Sequence, residues 1–460
     1  MENYFVALGG GNEIGASCYL IHVGDSNILI DAGLRLHSKQ AFPDFVRLGE
    51  LLGSITQLDA FLLTHAHLDH CGALTRLQYE HPSLAKFTTA PTKALAKIML
   101  TDAIRVAKRH KSEDWSIVET TENLLGDAFD SFTSVNFWES YQLGESDSYC
   151  IPLPAGHILG AASFLIEIEG RRILHTGDFS LHAQRTIHGM DLGEIQDIDL
   201  LIIESTYAYQ PYFINETIFE QQANLVRMVS NIVNLGGNVL IPAFALGRAQ
   251  EITSLFNYYF EQHLVEPFPI LLDGLVQPIS DIYNQYRDYL DEYLRLRNGH
   301  AIYSQWIHPN TGRRLLIVDQ DITEPMCIIA SSGMLLEHTR SAHYAQQLLP
   351  HPQNAIIFSG YLDEESPGKI LSAMEKGASI NLNKKDIPIR AGVHRYHMSA
   401  HAPSQDLCSI MEHLRPKQII LTHGNYSFQE NAEFISFLRQ LNKKGVEIHQ
   451  AHNGQLIYLS

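Results

Sequence analysis

The stretch from Ala60 to Leu74 constrains this chain most, because it places three histidines and an aspartate within six residues. Its apolar start, Ala60 to Leu63, has the length and composition of a buried strand, and Gly72 onward suits the start of a helix. Polar residues that follow directly on a buried strand indicate a site at its carboxyl end. These residues are His65, His67, Asp69 and His70.

The spacing of these four residues predicts a two-metal site. Side chains two residues apart in an extended segment point the same way, so His65 and His67 can bind one ion. Asp69 and His70, past the bend, can reach a second ion. Neutral imidazole together with carboxylate suits zinc or a similar borderline metal.

The composition is that of an ordinary globular protein of two or three domains, with 460 residues of which 45% are hydrophobic. No apolar window is long enough to span a membrane, and the N-terminus lacks the pattern of a signal peptide. We therefore expect a cytoplasmic protein without a membrane segment. Five scattered cysteines without a CxxC pair argue against a disulfide framework and a structural zinc finger.

The formal net charge of −18 argues against a nucleic-acid substrate, since phosphate binding is mostly electrostatic. The segment from Lys369 to Arg395, however, contains six basic residues against two acidic ones. Such a run suits either a local phosphate-binding surface or an ordinary solvated face. The basic residues are Lys369, Lys376, Lys384, Lys385, Arg390 and Arg395.

Three further apolar segments each lead to a ligand-type side chain. Predicted strands at Tyr149–Leu153, Arg172–His175 and Leu200–Ile203 lead to His157, Asp178 and Glu204, respectively. His157 would be the third ligand of the first ion, and the Asp178 carboxylate could bridge both ions.

From about Tyr212 the pattern changes to alternating strands and helices, which indicates a mostly parallel sheet in a second domain. Two turns of this domain have features that suit phosphate. Arg248 stands at a predicted helix start, and Ser331-Ser332-Gly333 would place hydroxyls and backbone N–H groups at another. Ordinary N-capping by serine explains the second turn equally well.

The C-terminal part returns to site-like residues. A strand from Gln418 to Leu421 leads to His423, which would be the third protein ligand of the second ion. Ser399 and His401 end another apolar segment, and His401 is then free for a different task. Near the N-terminus, Asp31 suits either a carboxylate that orients a ligand or a plain turn aspartate.

With these residues the chain resembles the metallo-β-lactamase superfamily and, within it, the β-CASP nucleases. The resemblance implies that the superfamily's four motifs are Asp31, the segment from His65 to His70, His157 and Asp178. It further matches the β-CASP acid to Glu204, the histidine of Ser-Ala-His to His401 and the final histidine to His423. One departure is Asn425, where the family usually has an acid, and it predicts a change in how His423 is oriented.

The resemblance implies an α/β fold: an αββα metallo-β-lactamase sandwich that carries an inserted parallel β/α (β-CASP) domain. We expect residues 1–210 and 369–460 to form the first and C-terminal parts of the metallo-β-lactamase domain, with residues 211–368 inserted between them.

The function that this resemblance implies is a zinc-dependent ribonuclease, acting as an endonuclease, a 5′-exonuclease or both. A final histidine accompanies RNA substrates in that family, so single-stranded RNA is the expected partner.

The expected mechanism uses two Zn²⁺ ions, or Mn²⁺ in their place, to activate a hydroxide that leaves a 5′-phosphate and a 3′-hydroxyl. Asp69 and Asp178 hold the ions, His401 oriented by Glu204 protonates the leaving oxygen, and phosphate charge falls on Ser399 and Ser332.

Three alternatives remain open. A β-CASP DNA nuclease would use the same site, and a thioester or lactone hydrolase of the glyoxalase II type would explain the acidic charge better. An inactive scaffold subunit would normally have lost ligands, whereas all seven positions are intact here. A protein partner or a second copy of the chain could supply the missing positive surface.

Overall fold

The computed structural model describes residues 2–35, 40–110, 122–144, 147–209, 217–299, 301–303, 307–309, 322, 324–363, 365–426 and 430–460. The chain divides into two compact units. The first comprises Met1–Ala183, Ile187–Tyr212 and Ala400–Ser460, and the second comprises Gln184–Thr186 and Phe213–Ser399. The α/β fold class is confirmed, while the predicted domain limits at residues 210 and 368 stay predictions.

Strands occur in both units. In chain order they are β1 (Tyr4–Gly9), β2 (Cys18–Val23), β3 (Ser26–Ile30), β4 (Ala60–Leu62), β5 (Ala85–Thr89), β6 (Phe132–Val135), β7 (Tyr141–Gln142), β8 (Ser148–Pro154), β9 (Ala162–Ile168), β10 (Arg171–His175), β11 (Leu200–Glu204), β12 (Val239–Pro242), β13 (Ile270–Asp273), β14 (Ile307–Pro309), β15 (Cys327–Ala330), β16 (Ala355–Phe358), β17 (Ser379–Leu382), β18 (Lys385–Pro388), β19 (Gly392–Arg395), β20 (Gln418–Thr422), β21 (Glu447–Gln450) and β22 (Leu456–Tyr458).

Helices are likewise found in both units, and none in the described part of the chain is long and apolar enough to cross a bilayer. They are α1 (Phe45–Leu52), α2 (Leu68–Cys71), α3 (Leu74–Glu80), α4 (Ala90–His110), α5 (Glu122–Asp130), α6 (Ile218–Asn234), α7 (Arg248–Glu261), α8 (Val276–Gln285), α9 (Glu292–Leu296), α10 (Arg340–Leu348), α11 (Pro367–Ala373), α12 (Ser404–Leu414) and α13 (Ala432–Lys443).

Among the described residues, the first unit contains two seven-stranded sheets. Their strand orders are β22-β1-β2-β3-β4-β5-β6 and β21-β20-β11-β10-β9-β8-β7. Side chains from both sheets, such as Ile21 and Ile30 from one and Phe164 and Ile202 from the other, belong to one buried core. The sheets therefore pack face to face, and burying each such side chain contributes about 1.5–3 kcal/mol.

The directions of the strands bring the polar loops of this unit to one edge of the second sheet. β10 pairs parallel with β11, and β11 pairs parallel with β20. β9 pairs antiparallel with both β8 and β10, so β8 runs in the same direction as β10. β9 was not among the predicted strands. Because of it, β8, β10, β11 and β20 all end at the same edge.

The strands that the structure describes in the second unit form a six-stranded parallel sheet, β14-β13-β15-β12-β16-β19, and a separate pair, β17-β18. Its own core includes Ile328 of β15, Ile356 of β16 and Tyr344 of α10. This is the parallel β/α arrangement that the alternating pattern predicted.

One helix start in the second unit was predicted wrongly. The helix expected from Gly333 begins at Arg340, and Thr339 caps it by accepting from the Ala342 N–H group. Leu335 and His338 adopt left-handed backbone conformations that a helix cannot contain. Ser331 and Ser332 are therefore not at a helix N-terminus, and the reason for expecting phosphate there is removed.

Candidate metal centre

The predicted ligands follow strands of the first unit and lie together in it. β4 of the first sheet precedes the histidine segment, and four strands of the second sheet end at one edge. Five of the seven ligand side chains are buried, while His67 and Asp69 are partly exposed. The residues after β4 are His65, His67, Asp69 and His70, and those after β8, β10 and β20 are His157, Asp178 and His423.

The helix predicted to start at Gly72 is found as α3, which begins at Leu74, and a short helix that was not predicted, α2, precedes it. α2 begins at Leu68, four residues before Gly72, so Asp69 and His70 lie in its first turn. The carbonyl oxygen of His67 accepts from the N–H groups of His70 and Cys71, at 3.0 and 2.9 Å. This short helix turns the chain between the two pairs of ligands.

Three ring nitrogens of the first group lie close together. His67 Nδ1 lies 3.2 Å from His65 Nε2 and 3.2 Å from His157 Nε2. The Ala400 carbonyl can only accept, so His157 Nδ1, 2.9 Å away, donates to it and leaves Nε2 unprotonated. If His67 Nδ1 carried a proton, it could donate to His65 Nε2 or to His157 Nε2, but not fully to both. A cation accepts all three lone pairs, so these residues fit a metal ion such as zinc.

The second group consists of Asp69, His70 and His423. His423 Nε2 and His70 Nε2 lie 3.5 and 3.9 Å from Asp69 Oδ2. His423 Nε2 is buried and has no hydrogen-bond partner among the described residues. An orphaned buried nitrogen is costly unless a bound group takes up its lone pair, which also fits a metal ion.

Asp178 lies between the two groups. Its Oδ2 is 3.6 Å from His65 Nε2, 3.8 Å from His157 Nε2 and 3.3 Å from His70 Nε2. Its Oδ1 is buried and makes no hydrogen bond within the described part of the chain. One carboxylate is therefore in reach of ligands of both groups, as a bridging ligand must be.

The protonation states favour cation binding. Burial lowers the pKa of His65 and of His157 well below the usual value, which keeps both rings neutral. Burial alone would raise the pKa of Asp178, but the neighbouring His423, His70 and His401 outweigh it and lower this pKa well below the usual value. Neutral imidazole and ionised carboxylate are the forms that bind metals.

His70 has the opposite shift. Burial would lower its pKa, but the carboxylates of Asp178, Asp31 and Asp69 outweigh burial and raise it well above the usual value. The imidazole thus holds a positive charge where three carboxylates meet. A divalent ion at Nε2 would take the place of that proton.

A third group, Asp178, Glu204 and His401, lies beside the two ligand groups. His401 Nδ1 is 2.9 Å from Glu204 Oε2 and 3.9 Å from Asp178 Oδ2. Burial would lower the pKa of His401, but these carboxylates outweigh it and raise the pKa to about 9. The ring is therefore protonated at neutral pH, which suits a proton donor better than a metal ligand.

Asp31 is fully buried and accepts three hydrogen bonds. Its Oδ1 accepts from the Thr64 N–H group, and its Oδ2 accepts from Thr64 Oγ1 at 2.8 Å and from His70 Nδ1 at 2.7 Å. It holds a ligand histidine through its second nitrogen, as an orienting carboxylate does.

Sequence reasoning missed Thr64 and Thr206, the hydroxyls that contact two of the ligand histidines. Thr64 Oγ1 lies 3.0 Å from His65 Nδ1, and Thr206 Oγ1 lies 3.1 Å from His423 Nδ1. The Gly10 carbonyl oxygen accepts from the backbone N–H group of His423 at 2.7 Å. Together with Thr206, it holds His423 in place. The available signals were a threonine directly before His65 and another two residues after Glu204.

The predicted phosphate contacts, Arg248, Ser331, Ser332 and Ser399, belong to the second unit. Arg248 is the first residue of α7, as predicted, with Gly247 as its N-cap. Ser332 Oγ accepts from the Leu336 N–H group at 3.1 Å, within a loop. Of the basic run, Lys376, Lys384, Lys385, Arg390 and Arg395 are exposed.

Comparison with known families matches most of the chain in three parts. A metallo-beta-lactamase superfamily domain matches residues 20–201, a Beta-Casp domain matches residues 249–371, and a Zn-dependent metallo-hydrolase RNA specificity domain matches residues 386–448.

Individual proteins are similar over nearly the whole chain. An RNase J-like protein of Methanocaldococcus jannaschii is 30% identical over 90% of this chain and 91% of its own length. The transcription termination factor FttA of the same organism is 31% identical over 95% of this chain and 69% of its own. Endoribonuclease YSH1 of Saccharomyces cerevisiae is 29% identical over 91% of this chain, which spans 54% of that enzyme.

A solved structure supports the same fold. The crystal structure of a protein of unknown function from Enterococcus faecalis V583 has a TM-score of 0.58 at 14% identity and covers 100% of both chains. At this identity the likeness concerns the fold alone.

Proposed function

This chain belongs to the β-CASP group of the metallo-β-lactamase superfamily, and from that premise we propose that it is a metal-dependent ribonuclease acting on single-stranded RNA. The RNase J-like relative and the yeast endoribonuclease support RNA as the substrate class. The proposed cleavage leaves a 5′-phosphate and a 3′-hydroxyl.

One observation carries the proposal: the Asp178 carboxylate lies within 3.3–3.8 Å of ligand nitrogens of both groups, and a carboxylate-bound histidine stands beside them. The proposed ligands are His65, His67, His157 and Asp178 for one ion, and Asp69, His70, His423 and Asp178 for the other. Zinc is the proposed metal, with manganese as a substitute. When bound, two such cations stabilise charge on the scissile phosphate and lower the pKa of a water molecule.

His401 is the proposed general acid. Its pKa of about 9 keeps it protonated at neutral pH, and it can give that proton to the 3′-oxygen that leaves. Glu204 holds the ring in place through a hydrogen bond at Nδ1. Glu204 itself is fixed by the Phe179 N–H group, which donates to Oε1 at 2.8 Å.

The test of this role is the variant His401→Ala. We expect it to keep its bound metal and to lose about 10²–10⁴-fold in turnover, because protonation of the leaving group is lost. His413→Ala, which removes an exposed histidine of α12, should keep full activity. Metal analysis and single-turnover cleavage of labelled RNA measure both quantities. Loss of metal from His401→Ala would contradict the role.

The substrate class is tested with labelled single-stranded RNA, labelled single-stranded DNA and a thioester, each with and without a chelator. We expect chelator-sensitive cleavage of RNA that exceeds cleavage of the other two substrates. Preference for DNA or for the thioester would favour the corresponding alternative. A 2′,3′-cyclic phosphate at the cleaved ends would exclude the proposed mechanism.

A further inference from the structure

Two buried carboxylates of the first unit have the same arrangement of partners. Asp31 receives the hydrogen bond of His70 Nδ1 directly and contacts His65 through the Thr64 hydroxyl. Glu204 accepts a hydrogen bond directly from His401 Nδ1 and contacts His423 through the Thr206 hydroxyl. Each carboxylate is therefore hydrogen-bonded to one histidine directly and linked to a second histidine through a threonine hydroxyl.

The Thr206 hydroxyl determines which nitrogen of His423 carries the proton. It has a single hydrogen, and the two acceptors in its reach, Glu204 Oε2 and the His423 carbonyl oxygen at 3.3 Å, can only accept, so Thr206 donates to one of them. The Thr206 oxygen, 3.1 Å from His423 Nδ1, must then accept, which places the imidazole proton on Nδ1; Asp178 Oδ1, 3.4 Å from the same nitrogen, favours the same tautomer. Nε2 is left with its lone pair, and this is the buried nitrogen that has no partner among the described residues.

The same reasoning applies to Thr64. Its hydroxyl donates to Asp31 Oδ2 at 2.8 Å, so its oxygen accepts from His65 Nδ1 at 3.0 Å. His65 Nε2 is then the unprotonated nitrogen, and it is the one that lies 3.2 Å from His67 Nδ1. The two threonines thus act on different ligand groups.

We propose that Thr206 is a positioning residue for the second ion, and that it links this ion to the proton donor. The link runs from His423 through Thr206 and Glu204 to His401. Thr206 is buried, with 6% of its surface exposed. Thr64 has the corresponding task for the first ion. The proposal rests on the proposed metal centre, and it concerns residues for which that proposal names no role.

The test compares Thr206→Val with Thr206→Ser, and Thr64→Val with Thr64→Ser. Valine has the shape of threonine but no hydroxyl, whereas serine keeps the hydroxyl. We expect Thr206→Val to bind the second zinc ion about 10–100-fold more weakly, with the first ion unchanged, since removing an orienting partner typically costs this much. Thr64→Val should weaken the first ion instead. Both serine variants should bind like the parent protein.

Zinc affinities are measured by competition with a chromophoric chelator, and anomalous scattering at the zinc edge identifies the weakened position. Thermal unfolding in excess chelator separates folding from metal binding: each valine variant should lose about 1–3 kcal/mol with its buried hydrogen bond, and each serine variant should unfold like the parent protein. Unchanged binding of both ions by Thr206→Val would overturn the proposal, and so would equal loss of both ions without rescue by serine.

If the parent protein itself binds no zinc, the proposed function fails first, and this result is distinct from the other two.

Discussion

At the scale of single residues, the ligand segment depends on Gly33, where the absence of a side chain lets two backbones touch. A Cβ atom at Gly33 would lie 1.7 Å from the Asp69 carbonyl oxygen and 2.8 Å from the His70 backbone nitrogen. Real side chains do not come this close, so the backbone of α2 would have to move. Asp69 and His70 would move with it.

We therefore expect Gly33→Ala to destabilise the protein by about 1–3 kcal/mol, the usual cost of overpacking, and to weaken the second ion. Urea unfolding measures the first effect and zinc titration the second. Gly126→Ala is a matched control, because nothing lies within 4 Å of its added Cβ atom in the middle of α5. That change should stabilise by about 0.5–1 kcal/mol. Normal stability and zinc binding in Gly33→Ala would show that α2 can shift freely.

At the scale of elements, β5 contains a lysine where a buried strand normally has an apolar residue. Lys86 is 0% exposed, and its Nζ donates to the Leu84 carbonyl oxygen at 3.0 Å. Among the described residues no charged partner acts on it, since burial is the only cause of its pKa shift. Burial lowers the pKa of this ammonium from its usual 10.5 to about 8. The folded state thus disfavours the charged form.

Lys86 should consequently make the free energy of unfolding depend on pH in the alkaline range. Between pH 8 and 10.5 the unfolded chain binds more protons at Lys86 than the folded protein does, so Lys86 contributes a rise with pH to the free energy of unfolding across this window. Lys86→Met should remove this rise and stabilise the protein by about 1–3 kcal/mol below pH 8. Lys97→Met, at an exposed position of α4, should leave the pH profile unchanged. Urea unfolding from pH 7 to 10.5 measures both, and the same slope in Lys86→Met and the parent would contradict the prediction.

At the scale of the whole molecule, the candidate ligands all belong to the first unit, while the second unit has a core of its own. Ligand binding stabilises the folded state by mass action, by about 4 kcal/mol at a thousand times the dissociation constant. This free energy should be added to the unit that holds the ligands.

Removing zinc with a chelator should therefore act on the two units differently. We expect faster amide hydrogen exchange in β8, β10 and β20, which lead to ligands, and unchanged exchange in β12 and β15 of the second unit. Re-addition of zinc should restore the slow exchange. Equal acceleration in β12 and β15 would contradict a metal centre confined to the first unit, as would no change in β10 and β20.

The sequence alone predicted the α/β fold class, through its resemblance to a known family, and proposed the candidate ligands. The spacing of His65, His67 and His70 after an apolar strand predicts a shared metal site, because strand periodicity decides which side chains point together. Strand and helix alternation likewise predicted the parallel sheet of the second unit. These features depend on neighbours in the chain, and so they can be read from it.

The tertiary structure decided which atoms meet. Thr206 and His423 are far apart in the chain, and no periodicity relates them; only the parallel pairing of β11 with β20 brings them together. The Ala400 carbonyl orients His157 in the same long-range way. The start of α10 at Arg340 rather than Gly333 goes with the left-handed conformations of Leu335 and His338, which the apolar spacing did not predict. A hydrogen bond depends on distance and direction between atoms, and only the folded chain sets both.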